Sequence, residues 1–142
     1  LAGVRLGYLF GSERVIREFK KVRQPYSVDA VSQVVGRVVY ENRALFEKGI
    51  DQIIEERGRM VDTLNAMEGV EVFPSDSNYV MFRTAEGIDA GVVWQQLFER
   101  GVLIRDFSRT PGLERCLRAS VGSPAENIRF LGDLKDILAQ WN

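Results

Sequence analysis

The sequence predicts a two-layer α+β fold, with helices packed on one face of a small, mainly antiparallel sheet. Two observations predict it. Residues up to about 69 carry long helical patterns, and the rest alternates short apolar runs with helical ones in the order β-β-α-β-β-α. A long helical segment followed by that order packs most simply as helices against one sheet. At 142 residues, the chain is long enough to bury a core.

The first half of the chain is mostly helical in pattern. Residues 6–10 predict a short strand, and Ser12 can cap a helix that ends before Pro25. From Ser27, valines recur at three- and four-residue steps, and a stronger apolar stripe runs on to Gly69, where a left-handed residue ends a helix. This pattern allows either two stacked helices or one kinked helix.

The remaining residues predict four strands and two helices. The strands are expected at residues 70–73, 79–83, 102–107 and 116–121. Asp89 can cap the helix between the second and third strands. The last helix has the clearest start, because Ser123, Pro124 and Glu126 form an N-cap, a first-turn proline and a capping box.

Composition excludes several function classes. The chain has 19 basic and 20 acidic residues, so it offers no basis for nucleic-acid binding. It has no histidine, which removes Ser-His and Cys-His nucleophile systems and the commonest metal ligand, and we expect no metal site. Cys116 is the single cysteine and predicts a reducing, cytoplasmic setting. No apolar run has the length of a membrane span.

Three arginines are the candidates for binding anions. Arg5 lies between two glycines, where its planar fork can approach a phosphate or carboxylate. In the strand at 116–121, alternation sends Arg118 to the face opposite Leu117. Arg105 lies on a strand that looks buried on both faces, so it needs an anionic partner: an internal carboxylate or a bound substrate anion. Nothing in the sequence supplies a base or nucleophile.

Several segments, in the right order, resemble histidinol-phosphate aminotransferases, which are fold-type I pyridoxal-phosphate-dependent enzymes. The first segment resembles the run that follows the family's cofactor-binding lysine, and the others resemble the interdomain segment and the C-terminal domain. Together they extend over essentially the whole chain. These segments are residues 1–8, 21–28, 56–57, 72–83, 101–107 and 117–127.

The resemblance implies an organisation and roles for the three arginines. Residues 1–26 would be a remnant of the large domain that binds pyridoxal phosphate, and residues 27–142 the interdomain helices and the small C-terminal domain. Arg5 would contact the cofactor's phosphate. Arg118 would hold the acidic tail of the substrate, and Arg105 would assist at the phosphate end.

The parent reaction implied by the resemblance exchanges an amino group between histidinol phosphate and 2-oxoglutarate, in histidine biosynthesis. The enzyme would be a cytoplasmic homodimer that acts on small molecules and binds neither nucleic acid nor membranes. Two alternatives within the class are an aromatic aminotransferase and a threonine-phosphate decarboxylase. A non-catalytic α+β interaction module is the alternative outside it.

The family's Schiff-base lysine would precede Leu1, as would the aspartate that binds the pyridine nitrogen. We therefore expect the chain alone to be inactive and to bind no cofactor, because Lys20, Lys21 and Lys48 lie on helical faces and are poor substitutes. The strand at residues 6–10 would lack its neighbours. We expect it to be disordered, repositioned or paired with another copy of the chain.

Overall fold

The computed structural model describes residues 2–141, and of Ala2 only the backbone. Within that range no helix combines the length and apolar character required to cross a bilayer. Short 3₁₀ turns lie near the two ends, at Ala2–Val4 and Ala139–Trp141. The helices and strands, in chain order, are α1 (Glu13–Val22), α2 (Ala30–Glu41), α3 (Ala44–Asn65), β1 (Val70–Val72), β2 (Tyr79–Thr84), α4 (Ala90–Glu99), β3 (Arg105–Asp106), β4 (Cys116–Ser120) and α5 (Pro124–Leu138).

The chain divides into two compact units, residues 1–47 and 48–142. The first unit contains α1, α2 and the start of α3. The long helical pattern is therefore two helices, α2 and α3, and the single kinked helix is wrong. Asp29 caps α2 by accepting a hydrogen bond from the backbone N–H of Ser32 at 2.9 Å. The assignment of residues 1–26 to a cofactor-binding large domain concerns a longer polypeptide and stays a prediction.

The strand predicted at residues 6–10 is wrong. Residues 6–12 have no regular secondary structure, and the side chains of Tyr8 and Phe10 are 91% and 84% exposed. A strand exists only where a neighbouring strand accepts its backbone hydrogen bonds. The strands of the described chain pair only with one another, so this segment has no such neighbour.

The second unit has the two-layer architecture that the sequence predicts. Its sheet has the order β1-β2-β4-β3, and each neighbouring pair is antiparallel. Helices α3, α4 and α5 cover one face of this sheet. The buried core between the layers is formed by Met60, Leu64, Val80, Phe82, Ile88, Ala90, Val93, Leu97, Leu117, Ala119, Phe130, Leu134, Ile137 and Leu138.

Strand β3 is much shorter than the predicted strand at residues 102–107. Helix α4 forms hydrogen bonds with the backbone residues that would have extended β3. The N–H of Val102 donates to the carbonyl of Leu97 at 2.9 Å, and the indole N–H of Trp94 donates to the carbonyl of Ile104 at 2.9 Å. Only the two residues beyond them remain in the ladder with β4.

Helix α5 begins as predicted, with a complete capping box. The Ser123 hydroxyl accepts from the backbone N–H of Glu126 at 3.4 Å, and the Glu126 carboxylate accepts from the N–H of Ser123 at 2.8 Å. The hydroxyl and the backbone N–H of Ser123 lower the pKa of Glu126 below its ordinary value.

Asn127, in the first turn of α5, ties the end of β4 to α3. Its amide oxygen accepts from the N–H of Gly122 at 2.9 Å, and its amide nitrogen donates to the carbonyl of Gly122 at 3.1 Å. The same nitrogen donates to the buried carboxylate of Glu56 at 2.9 Å. This network fixes the turn that follows β4.

Candidate anion-binding site

Arg118 lies in β4 and points away from the helices. Its neighbours Leu117 and Ala119 are buried in the core, so strand alternation sends the Arg118 side chain to the other face of the sheet. Arg83 and Arg105 lie on that same face, as their register with Cys116 and Arg118 shows. We call this side of the sheet the arginine face.

Two aromatic rings hold the guanidinium of Arg118. Its Cζ lies 4.8 Å from the ring centre of Tyr79 and 5.4 Å from that of Phe107. Both distances are within the range of cation–π attraction. The rings therefore fix the side chain from two sides.

The Nε of Arg118 is buried, and within residues 2–141 its N–H has no hydrogen-bond acceptor. Buried polar groups are nearly always paired, because an unpaired donor costs about 1–3 kcal/mol. The side chain as a whole is only half-buried. The guanidinium is thus held by aromatic rings rather than by a carboxylate.

Arg105 is directly opposite Arg118 in the β3–β4 register. Its Cζ lies 5.6 Å from the ring centre of Phe107, so the two arginines share one aromatic neighbour. The predicted burial of Arg105 on both faces is wrong. The side chain is exposed, because β3 is a two-residue strand at the edge of the sheet. It consequently needs no internal carboxylate to compensate for burial.

Arg105 and Arg118 differ from six other arginines of the chain in having no carboxylate partner among the described residues. Arg17, Arg57, Arg59, Arg83, Arg100 and Arg129 each form an ion pair with an aspartate or glutamate. Among the residues that the structure describes, neither Arg105 nor Arg118 has an ion-pair partner. Like charges directly opposite in a sheet destabilise it. A bound phosphate could engage both guanidinium groups, and a bound carboxylate could pair with one of them.

Arg5 lies in the first unit, in a turn with an uncommon backbone. Its φ of 56° is in the left-handed region, and its side chain is exposed. The hydroxyl of Ser32 lies 3.1 Å from the carbonyl of Val4 and 2.6 Å from the carboxylate of Asp29. The same hydroxyl lowers the pKa of Asp29. The N-terminus of α2 therefore anchors the turn next to Arg5, whose binding role stays a prediction.

The sequence did not single out Tyr79 or Phe107 as site residues. Each belongs to a predicted strand, so the sequence assigns each a structural role and no binding role. Both residues lie diagonally across from Arg118 on the neighbouring strands, and this position is what could have identified them. That relation depends on the strand register, which the sequence alone does not define.

All four lysines of the chain are exposed on helices. Lys20 and Lys21 lie on α1, Lys48 on α3 and Lys135 on α5. A Schiff-base lysine acts as the free amine, which burial favours because it lowers the amine's pKa. None of the four lysines is buried.

The chain matches the family model described as aminotransferase class I and II over residues 1–134. It is 42% identical, over 137 residues, to the histidinol-phosphate aminotransferase of Aquifex aeolicus. That alignment covers 96% of the chain and 38% of the relative, so the chain spans well under half of the length of such proteins.

Solved structures that share the fold include a decarboxylase and an aminotransferase. One is the L-threonine-O-3-phosphate decarboxylase of Porphyromonas gingivalis, with a TM-score of 0.76 and 27% identity, over 96% of this chain and 42% of that one. The other is the histidinol-phosphate aminotransferase of Sinorhizobium meliloti in complex with pyridoxal-5'-phosphate, with a TM-score of 0.74 and 23% identity. The second comparison covers 100% of this chain and 39% of that one.

Proposed function

The chain belongs to the aminotransferase class I and II family, and from this premise we propose that it is the C-terminal part of a pyridoxal-phosphate-dependent histidinol-phosphate aminotransferase. The enzyme would exchange an amino group between histidinol phosphate and 2-oxoglutarate, in histidine biosynthesis. The 42% identity to the histidinol-phosphate aminotransferase of Aquifex aeolicus supports this assignment.

The observation that carries the proposal is the pair of arginines without counter-ions on β3 and β4. Histidinol phosphate carries a phosphate, and 2-oxoglutarate carries carboxylates. A planar guanidinium fork binds either anion in a bidentate manner, so Arg118 can serve both substrates in turn. Arg105, directly opposite, would add charge at the phosphate end.

The residues of the first unit fit one part of the cofactor. Pyridoxal phosphate supplies the electron sink for the reaction when it is bound. Arg5 presents an exposed guanidinium on an anchored turn, which suits the cofactor's phosphate. The four exposed lysines fit a Schiff-base role poorly. We therefore assign that lysine to the part of the enzyme that precedes this chain, and transamination to the longer polypeptide.

The coding sequence upstream of Leu1 tests this assignment directly. We expect an in-frame Ser-Lys dipeptide immediately before Leu1, followed upstream by the remainder of an aminotransferase. A start codon at that point, or the sequence of an unrelated domain, would contradict the proposal. The longer polypeptide would be a cytoplasmic homodimer, and sedimentation of the purified enzyme checks its oligomeric state.

Kinetics of the longer polypeptide test the roles of the arginines. Loss of a charged hydrogen-bonding group costs about 1.5–3 kcal/mol, which corresponds to about 10- to 150-fold in kcat/KM. We expect Arg118→Gln to lower kcat/KM by this factor for both substrates, and Arg105→Gln for histidinol phosphate alone. Unchanged values for both variants would refute the assignment.

A threonine-phosphate decarboxylase is the second candidate, supported by the fold shared with the Porphyromonas enzyme. Its substrate also carries a phosphate, so the arginine pair suits it too. Release of carbon dioxide from threonine phosphate, without formation of glutamate from 2-oxoglutarate, would favour this candidate.

A further inference from the structure

We propose that Tyr79 and Phe107 are positioning residues that form an aromatic clamp on Arg118, and that Phe107 couples Arg118 to Arg105 and so favours phosphate over carboxylate. This inference rests on the proposed function, because it concerns the arginines that would bind the substrate's acidic tail. It adds two residues that do not contact the substrate but determine where the guanidinium lies.

The register of the sheet builds the clamp. Tyr79 begins β2 and is opposite Ser120, two residues after Arg118. Phe107 follows β3, and its N–H donates to the carbonyl of Cys116, two residues before Arg118, at 3.0 Å. The rings thus reach Arg118 along the two diagonals of the ladder, from the strands on either side of it.

The clamp takes the place of the usual counter-ion. A free arginine side chain has many rotamers, and ordering it opposes binding. Among the described residues no carboxylate pairs with Arg118, and its buried Nε has no acceptor, so the rings are the contacts that order it. An acidic partner would order the side chain too, but it would compete with an anionic substrate. Aromatic rings leave the positive charge available.

Phe107 has a second contact that Tyr79 lacks. Its ring lies 5.6 Å from the Cζ of Arg105 and 5.4 Å from that of Arg118. A phosphate has three free oxygens and can engage both guanidinium groups, whereas one carboxylate is satisfied by a single fork. Loss of the Phe107 ring should therefore weaken phosphate binding more than carboxylate binding.

The first test observes the Nε–Hε groups of the 142-residue chain by ¹⁵N NMR. We expect the Arg118 signal, assigned by its loss in Arg118→Lys, to be shifted upfield by the rings and to exchange slowly with solvent. Tyr79→Leu and Phe107→Leu should each move it towards the position of exposed arginines. Tyr79→Phe, which restores a ring, should return it.

Phe73→Leu is the matched control, because the Phe73 ring lies 5.0 Å from the Cζ of Arg83 on the same arginine face. It should move the Arg83 signal and leave that of Arg118 in place. Tyr79 and Phe107 are only half-buried, so leucine at either position should preserve the fold. Backbone amide spectra check this for each variant separately.

The second test titrates the same proteins with inorganic phosphate and with glutarate, at constant ionic strength. We expect Tyr79→Leu to raise the dissociation constants of both anions about tenfold. Phe107→Leu should raise that of phosphate more than that of glutarate. A merely structural role would lower stability without changing the dissociation constant of either anion.

The clamp is refuted if both leucine variants leave the Arg118 signal and the phosphate affinity unchanged. It is refuted as a source of selectivity if Phe107→Leu weakens both anions equally. Failure of the proposed function has a different signature: phosphate then moves neither the Arg105 nor the Arg118 signal in the wild-type chain.

Discussion

Arg105 and Arg118 place two like charges directly opposite each other, at the edge of the sheet. Such a pair opposes folding, and within residues 2–141 no carboxylate pairs with either group. The arrangement persists because Arg105 is exposed and water screens its charge. We propose that this cost is accepted for ligand binding rather than for stability.

The first prediction separates these two roles. Arg105→Gln should leave the free energy of unfolding unchanged, or raise it by up to about 0.5 kcal/mol, because it removes a like-charge contact. It should also raise the dissociation constant of inorganic phosphate about tenfold. Urea denaturation and NMR titration measure the two effects.

Arg83→Gln and Arg109→Gln are the controls for this prediction. Arg83 has a counter-ion in Glu71, at 3.4 Å, so its loss should not stabilise the chain. Arg109 is exposed in the loop between β3 and β4 and tests the effect of charge alone on phosphate affinity. A marked loss of stability in Arg105→Gln would mean that Arg105 has a structural partner.

At the scale of the elements, helix α5 gives the second prediction. The Ser123 hydroxyl accepts from a first-turn N–H, so Ser123→Ala should lower the free energy of unfolding by about 1 kcal/mol. Ser12 occupies the same position before α1, but its side chain makes no cap hydrogen bond. Ser12→Ala should therefore cost little. Amide exchange in the first turn of each helix measures both effects, and equal effects would contradict this account of the cap.

The third prediction is a pH dependence from the same capping box. The pKa of Glu126 is lower in the folded chain than in the unfolded one, so its stabilisation is present above the ordinary glutamate pKa. It is lost as the pH falls through the lowered value. Glu126→Gln should thus be less stable than the wild type at neutral pH, and the difference should shrink in acid.

Urea denaturation across that pH range measures the difference between the two proteins. Glu86→Gln is the control, because Glu86 is exposed in the turn before α4 and lies outside any cap. A difference between wild type and Glu126→Gln that stays constant down to acid pH would contradict the link to the carboxylate of Glu126.

The comparison of these elements shows which features are local. The start of α5 was predictable because Ser123, Pro124 and Glu126 form their contacts within one turn. The formation and the length of a strand depend on its neighbouring strands. For this reason the predicted strand at residues 6–10 is wrong, and β3 is shorter than the predicted strand at residues 102–107. The outward direction of Arg118 followed from alternation. The exposure of Arg105 depended on the length of β3, which contacts with α4 limit.

At the scale of the whole molecule, the chain contains arginines that we propose to bind anions, and all four of its lysines are exposed. The alignment that covers 96% of it spans only 38% of its Aquifex relative. The two features agree, because the large remainder of such an enzyme can supply the lysine. The chemistry of the family would then be divided along the sequence, with the acidic tail of the substrate held in this part.

The fourth prediction follows from this division. After incubation with pyridoxal phosphate and dialysis, the 142-residue chain should retain no visible absorbance band. Lys20 and Lys48 are exposed, so water reaches and hydrolyses whatever they form with an aldehyde. Reduction with borohydride before dialysis, followed by peptide mass spectrometry, should find low labelling spread over the exposed lysines. Stoichiometric labelling of one lysine would contradict the division, because it would locate the cofactor's covalent partner within this chain.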